Sequence, residues 1–599
     1  MTTSMKRLSE ACERIAATTK KLEKIAIVAD YLTATNLEDA AVSAVFLSGR
    51  PFPIWEETTL QVGGRLLWRL VQELSGRTQQ ELTASYRRLG DLGAVAAEVL
   101  PERVGTDTPA SLPQAEPRGL GREKLGSQTF SEASELTVSE VQSRFRQIAG
   151  ARGPTAKAVL VRELLSQVTP LEAKYIIKIM TGDLRIGLKE SLVEEAIAKA
   201  YAATLAEVQR ANMLLGDVGE TLRFAVNGKL NDARMRLFHP LGFMLATPAA
   251  SAEEALSYFQ NALVEDKYDG IRAQAHCSAN EVRLFSRTRD DITESFPELP
   301  DALSGLPTDA ILDGEIVAWS YLTGDASQSS HALPFSALQQ RLGRKKVSQR
   351  LMRQVPVAYL VFDILYAGGE LLIDRPLRER GKLLDNLLDA KRIPAKIHSK
   401  ATQGALPLES SEPAIAVEAL RAPVLHASSA QELDQLFEAA QARGNEGLMI
   451  KDPGSPYTPG RRGRSWLKLK RELAQLDVVV TAVEYGHGKR IGVLSDYTFA
   501  VWDGEKLVNI GKAYSGLTDA EINGMTKWFL EHTIEDQGFR LIVEPKIVLE
   551  VAFNNMMRSD RHDSGYALRF PRIVRLRPDK LPEEADTIET VKEIYKRQK

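Results

Sequence analysis

Cysteine is almost missing: Cys12 and Cys277 are the only two in 599 residues. Two thiols cannot build a disulfide framework or a Cys-rich zinc module, and their scarcity suits a reducing cytosol, so a cytoplasmic protein is expected, nucleoid-associated in a prokaryote. Long apolar runs are missing too. No stretch is long enough to span a bilayer, and Met1 to Leu22 lacks the apolar core of a signal peptide, so no membrane partner is expected. Nor does one sign of charge dominate, because 77 Lys and Arg against 79 Asp and Glu leave a formal −2. Nucleic-acid binding would therefore have to come from local basic patches. There is no internal repeat. The rest of the composition is that of an ordinary soluble globular protein, too long for a single core, so three or four domains are expected.

Met5 to about Leu100 reads as helices, with Leu8, Cys12, Ile15 and Ala16 on one apolar face. Pro101 to Ser134 is rich in Pro, Gly, Ser and charge and reads as a loose connector inside a helical domain. Helices resume at Val138. Thr169-Pro170-Leu171-Glu172 is a helix start with proline at the first position, and that helix is expected to end at Thr181-Gly182-Asp183. Leu184 to Glu190 then leads to a helix over Ser191 to Ala203. From about Phe238 strand-like runs alternate with helices: Val282 to Arg287, Ala310 to Ala318, Val357 to Leu365, Leu448 to Lys451 and Ser465 to Lys470. Ile393 to Ala422 reads as a surface excursion. After Leu473 the pattern is mostly β, with a hairpin turn at Asp503-Gly504 and a helix over Asp519 to Glu531; about five strands and one helix fit a small barrel.

The chain is organised around Glu265-Asp266-Lys267-Tyr268-Asp269-Gly270-Ile271-Arg272, read as following a helix-like run and preceding an alternating run to Phe285. Lys267 is expected at the mouth of a sheet. A lysine amine is protonated at neutral pH and becomes a nucleophile only in a suitable environment. Downstream come Phe285-Ser286-Arg287, Leu312-Asp313-Gly314-Glu315, Leu360-Val361-Phe362-Asp363, Asn445-Glu446-Gly447-Leu448-Met449-Ile450-Lys451 and Ser465-Trp466-Leu467-Lys468-Leu469-Lys470. Each alone could be a plain strand or turn. Together, with Leu568-Arg569-Phe570-Pro571-Arg572 and Arg577-Pro578-Asp579-Lys580, their order resembles that of the covalent nucleotidyltransferases, and most closely the ATP-dependent DNA ligases. Glu172 to Tyr175 and Gly182 to Gly187 resemble the helical DNA-binding domain of the archaeal and eukaryotic replicative type.

The resemblance implies a multidomain chain: an all-α DNA-binding domain over 1–236, an α/β (α+β) nucleotidyltransferase adenylation domain over 237–472, and an all-β OB-fold domain over 473–599. It implies nick sealing in replication, repair and recombination, with ATP and Mg²⁺ as cofactors. Lys267 would take AMP from ATP as a lysyl–AMP phosphoramide; AMP would pass to the 5′-phosphate of the nick, and the 3′-hydroxyl would displace it. The nucleotide would be held by Glu265 at the adenine edge, with Phe362 stacked on the base, Arg272 and Glu315 at the ribose or a metal, Lys468 and Lys470 at the α-phosphate, and Arg577, Asp579 and Lys580 at the departing pyrophosphate; Arg287 and Glu446 would also belong to the nucleotide site. Glu315 and Glu446 are hard oxygen ligands suited to Mg²⁺. Ser286 and Arg287 would meet the nick 5′-phosphate, and Arg185 and Lys189 the duplex backbone. The basic run Arg461 to Arg471 would face DNA; Arg341 to Arg353 and Arg375 to Lys382 read equally as DNA-facing surface or as a solvated charged face, and a hinge is expected at Lys470 to Leu476.

NAD⁺-dependent ligases share the lysine motif but carry a zinc finger that two cysteines cannot make. Capping guanylyltransferases and RNA ligases lack the helical front domain. A non-catalytic DNA scaffold would be expected to have lost Lys267 or the paired lysines, and all are present. The protein is expected to be a monomer acting on nicked double-stranded DNA. A sliding clamp is a further candidate partner, although no Gln-x-x-aliphatic-x-x-aromatic-aromatic box is evident.

Overall fold

The computed structural model of the protein describes residues 4–56, 58–102, 136–259, 261–279, 281–321, 331–342, 344, 347–390, 417–470, 474–486, 490, 492–538 and 540–597. It divides into two compact units, Met1–Arg234 with Tyr485–Gly492, and Met235–Glu484 with Val493–Lys599. Among the described residues no helix is long and apolar enough to cross a membrane.

The first unit is helical. Its helices are punctuated by local chemistry that the sequence states openly. Thr78, Thr137, Thr169 and Thr204 each cap a helix and are answered three residues later by Glu81, Glu140, Glu172 and Glu207, so two otherwise unpaired amides are satisfied at each start. Of the predicted face of the first helix, Met5–Ala17, Leu8, Cys12 and Ile15 are buried, but Ala16 is exposed, and Met5 and Ala11 are buried with them. The helix Pro170–Met180 ends in a loop where Gly182, Arg185 and Gly187 have φ of 69°, 50° and 64°, and the next helix is Glu190–Ala200. The Pro101–Ser134 connector lies almost wholly outside the described residues.

The second unit opens with strands β1 (Leu245–Ala249), β2 (Ala262–Asp266), β3 (Ile271–Cys277), β4 (Val282–Ser286), β5 (Ala310–Ser320), β6 (His331–Ala332), β7 (Val357–Ala367), β8 (Glu370–Leu371), β9 (Glu418–Arg421), β10 (Leu425–Ala427), β11 (Leu448–Lys451) and β12 (Arg462–Leu469). They form two sheets. One has the order β1-β12-β11-β2-β10; the other runs β4-β3-β5-β7-β8, with β6 on β5 and β9 on β7. Each sheet has its own apolar core. The chain crosses from the first sheet to the second between β2 and β3, and the crossing is Lys267 to Gly270.

Three expectations change here. The residues before Lys267 are strand β2, not helix, because the short apolar run Ala262 to Val264 has no periodicity that separates the two. The run from Arg272 to Phe285 is a hairpin, with Cys277 opposite Val282. Asp313-Gly314-Glu315 lies in the middle of β5, the strand expected over Ala310 to Ala318, where a Cβ on Gly314 would lie 2.6 Å from the Leu360 carbonyl of β7. Of the supposed excursion, 391–416 lies outside the described residues, but Glu418–Arg421 is strand β9, parallel to β7, and Ala422 is buried.

The C-terminal strands are β13 (Ala474–Tyr485), β14 (Leu494–Asp503), β15 (Lys506–Ala513), β16 (Thr533–Asp536), β17 (Arg540–Val543), β18 (Val548–Phe553), β19 (Asn555–Arg558), β20 (Tyr566–Arg569) and β21 (Arg572–Leu576). This is more than the five expected. Strand β13 organises them: its first half pairs β18 and its second half β17. The β14–β15 hairpin turns at Gly504, φ 61°, and the helix Asp519–Glu531 lies where it was predicted. The domain is a β structure of OB type. The expected hinge at Lys470 to Leu476 includes 471–473, outside the described residues.

Candidate active site

A cavity of about 480 Å³ opens at the crossing between the two sheets. Its wall brings together Glu265, Lys267, Arg272, Ser286, Arg287, Glu315, Phe362, Glu446, Lys468 and Lys470, residues drawn from β2, β3, β4, β5, β7, the approach to β11, and β12.

Lys267 is fixed first through its main chain. Its amide donates to the Gly447 carbonyl and its carbonyl accepts from the Glu446 amide, both at 2.8 Å, so the β2–β11 pairing continues past the strand ends. Gly447 has φ 141°, and a Cβ there would lie 2.3 Å from the Leu469 carbonyl, so only glycine permits the approach. The Lys267 ammonium donates to Glu446 Oε2 at 2.6 Å, and Lys470 contacts the same oxygen. Burial pushes the Glu446 carboxyl up, but the two lysines outweigh it and hold the acid at about 2. Glu446 is therefore a permanent anion that orients the amine and is too weak a base to take its proton.

Glu315 has the opposite fate. Burial pushes it up to about 7, against the pull of Lys267 and Arg272. Burial lowers Lys470, and Lys267 lowers it further; Lys468 falls for the same reason and through Lys470 and Arg462. This end of the cavity is a cluster of crowded cations facing two carboxylates, suited to a polyanion.

At the other end, Glu265 is buried and paired with Lys451 at 2.5 Å, and the Lys451 ammonium lies 4.4 Å from the Phe362 ring centroid and 4.3 Å from that of Trp466. Arg272 does not offer an open fork. Its guanidinium is bidentate to fully buried Asp313 at 3.1 and 2.7 Å and donates to the Met244 carbonyl at 2.6 Å. Asp313 also accepts from Tyr457 at 2.7 Å. Gly270 is tightly held, since a Cβ would lie 2.3 Å from the Ile316 carbonyl.

Arg577 and Lys580 do not line the cavity. Arg577 contacts both oxygens of Asp477 at 2.9 Å and is held also by Asp579, while Lys580 donates to Asp477 at 2.6 Å. The barrel instead presents Arg569, paired with Asp269 and 4.3 Å from the Phe335 ring centroid, and Phe570, 61% exposed with φ 53°. Lys451, Asp313, Trp466 and Arg462 were not singled out as site residues. Lys451, Asp313 and Trp466 sit in motif stretches already picked out and Arg462 in a basic run, but their types read equally well as strand interior or solvated charge.

In the helical unit, Arg185 is turned onto its own scaffold, donating to the Gly90 carbonyl at 2.8 Å and to Asp183 at 2.6 Å, while Lys189 is exposed. The basic runs need correction at two positions. Arg341 and Arg380 are fully buried, paired with Glu298 and Asp363, so they belong to the core and not to a duplex-facing surface.

A divalent metal fits Glu315 and Glu446. Both carboxylates reach the cavity, and Mg²⁺ needs one or two such oxygens, completing its octahedron with waters and phosphates. Among the described residues no cluster of three or more acidic, His or Cys ligands competes.

Comparison with known proteins agrees along the whole chain. Family models for the DNA ligase N terminus, the ATP dependent DNA ligase domain and the ATP dependent DNA ligase C terminal region match residues 4–198, 243–470 and 490–580. A "Probable DNA ligase" of Koribacter versatilis is 57% identical over 99% of this chain and 97% of its own length. A "DNA ligase" of Methanothrix thermoacetophila is 35% identical over 100% and 99%. A solved structure titled Pmar-Lig_PreS3 shares the fold at TM-score 0.57 and 16% identity, covering 95% of this chain and 99% of that one. The chain belongs to the ATP-dependent DNA ligases, enzymes that use ATP and a divalent metal to join DNA ends through a lysyl–AMP intermediate.

Proposed function

We propose that Lys267 is the residue that carries AMP in this ligase. The observation that supports it most is the Lys267–Glu446–Lys470 contact at the crossing of the two sheets: the amine is anchored at its backbone, oriented by a permanent anion, and faces a cation-lined cavity. In-line phosphoryl transfer needs positioning and charge neutralisation more than covalent versatility. Lys468 and Lys470 neutralise the α-phosphate, Phe362 stacks on the base, and Glu265, held by Lys451, reads its edge. Arg272, fixed by Asp313, braces the floor of the nucleotide pocket. Mg²⁺ at Glu315 and Glu446 would neutralise phosphate oxygens.

Ser286 and Arg287, at the end of β4, receive the 5′-phosphate of the nick, and Lys189 lies along the duplex backbone, with Arg185 beside it bracing the loop through Gly90 and Asp183. Arg577 and Lys580 meet pyrophosphate after leaving Asp477, which requires the barrel to turn. The working domains are 1–236, 237–472 and 473–599. The protein acts as a monomer, with a sliding clamp as an additional partner. The two buried cysteines, not joined as a disulfide, support a cytoplasmic site of action.

The test is self-adenylation with Mg²⁺ and either ATP or NAD⁺, read by intact mass and peptide mapping, then challenged with nicked duplex. An AMP adduct on Lys267 from ATP alone, discharged with sealing, is expected. Lys267→Ala should abolish it while the chain still folds cooperatively, melting somewhat below wild type because the pair with Glu446 is lost; an adduct retained by this variant would end the assignment.

A further inference from the structure

Lys24, on the helix Lys21–Thr33, is a buried ammonium, 6% exposed, in the helical unit. Its partner is the Ile186 carbonyl, to which it donates at 2.5 Å, and among the described residues no carboxylate pairs with it. Burial lowers its proton affinity. Packing alone would favour an apolar side chain here, since a buried charge without a counter-ion is destabilising.

The carbonyl it holds lies in the loop between helices Pro170–Met180 and Glu190–Ala200. Alternate residues of that loop face inward: Leu184 and Ile186 are buried, whereas Arg185, Gly187 and Lys189 are exposed. Gly187 has φ 64°, and a Cβ on it would lie 2.7 Å from the Lys24 ammonium, so the loop backbone closes directly over the cation. Arg185 is tied down to Gly90 and Asp183, which leaves Lys189 as the cation the loop turns outward, at the start of a helix whose first amides no side chain caps. A phosphate backbone meets cations and free amides in such a place.

We propose that Lys24 is a positioning residue for DNA binding: by holding the Ile186 carbonyl from beneath, it sets the turn at Gly187 and so aims Lys189 at a duplex phosphate. This rests on the reading of the loop as a DNA contact. The ammonium acts through loop geometry and does not touch DNA.

The experiment uses the full chain and a fluorescent nicked duplex, with anisotropy measured over a series of salt concentrations. Lys24→Met is expected to weaken binding by about tenfold, the order of one charge-assisted hydrogen bond. It should also flatten the slope of log K against log salt by about one, as Lys189→Ala does, because both lose the same phosphate contact. The double variant should lose no more than either single one. Lys24→Gln, whose amide can still donate to Ile186, should recover most of the affinity. Gly187→Ala, which strains a φ of 64° as well as crowding the ammonium, should also weaken binding; Lys24→Gln carries the test should Lys24→Met not fold. Self-adenylation without DNA should not change. Wild-type affinity and slope in Lys24→Met or Gly187→Ala, with Lys189→Ala impaired, would overturn the proposal. An unimpaired Lys189→Ala would instead overturn the loop as a DNA contact.

Discussion

Glu315 and Glu446 share one cavity and are pushed in opposite directions, so neutralising each should have opposite effects on stability. For Glu315 the folded acidity is about 7 against an ordinary 4.5. A carboxyl raised in this way contributes stability that is fully present below pH 4.5 and lost as pH rises through 7. The gap from 4.5 to about 7 corresponds to about 3 kcal/mol; Glu315 is only half-buried, and solvent reaching it reduces this to about 2 kcal/mol. Glu315→Gln is neutral at every pH. Its stability relative to wild type should therefore improve by about 2 kcal/mol between pH 4.5 and pH 8, seen as a rise of a few degrees in relative melting temperature in EDTA. Glu446, held at about 2, contributes stability present above pH 4.5 and lost as pH falls toward 2. Glu446→Gln should accordingly melt below wild type at neutral pH, with the gap closing on acidification. Adding Mg²⁺ at pH 8 should raise the melting temperature of wild type and not that of Glu315→Gln. A Glu315→Gln difference that is constant with pH, or that turns against the variant at pH 8, would refute the reasoning.

Gly447→Ala should abolish self-adenylation, since φ 141° and a Cβ 2.3 Å from the Leu469 carbonyl force apart the backbone that anchors Lys267; wild-type adduct formation would contradict this. Arg341→Met leaves Glu298 as an unpaired buried anion and should cost about 3–5 kcal/mol of stability in a urea or thermal melt, with nicked-duplex affinity below the transition unchanged. A loss of affinity with no loss of stability would return Arg341 to the DNA surface. Asp477→Asn frees Lys580 and loosens Arg577, which Asp579 still holds, and should lower the ATP concentration for half-maximal self-adenylation; no change, or a rise, would mean that Asp477 does not compete with the triphosphate.

Where a signal was local, the amino-acid order alone was enough. The threonine–glutamate capping pairs, the Pro170 helix start, the Asp503-Gly504 turn and the helix Asp519–Glu531 depend on neighbours within four residues. The chemistry-bearing stretches were visible too, because Lys267, Glu446, Lys468 and Lys470 are residue types whose order along the chain is distinctive. What the order did not disclose was partnership. Arg272, Arg341, Arg380, Arg185 and Lys24 are all written as cations, and nothing adjacent to them tells a surface charge from a buried one. The partners, Asp313, Glu298, Asp363, the Gly90 carbonyl and the Ile186 carbonyl, lie between 17 and 162 residues away. The same holds for the barrel, whose Arg569 reaches Asp269 while Arg577 rests on Asp477. Which carboxylate a cation meets depends on sheet register and domain packing, which only the folded chain sets. The sequence by itself therefore determined the family chemistry and the local helices and turns; the tertiary structure alone decided which charges are spent on holding the fold and which are left to face the nucleotide and the DNA.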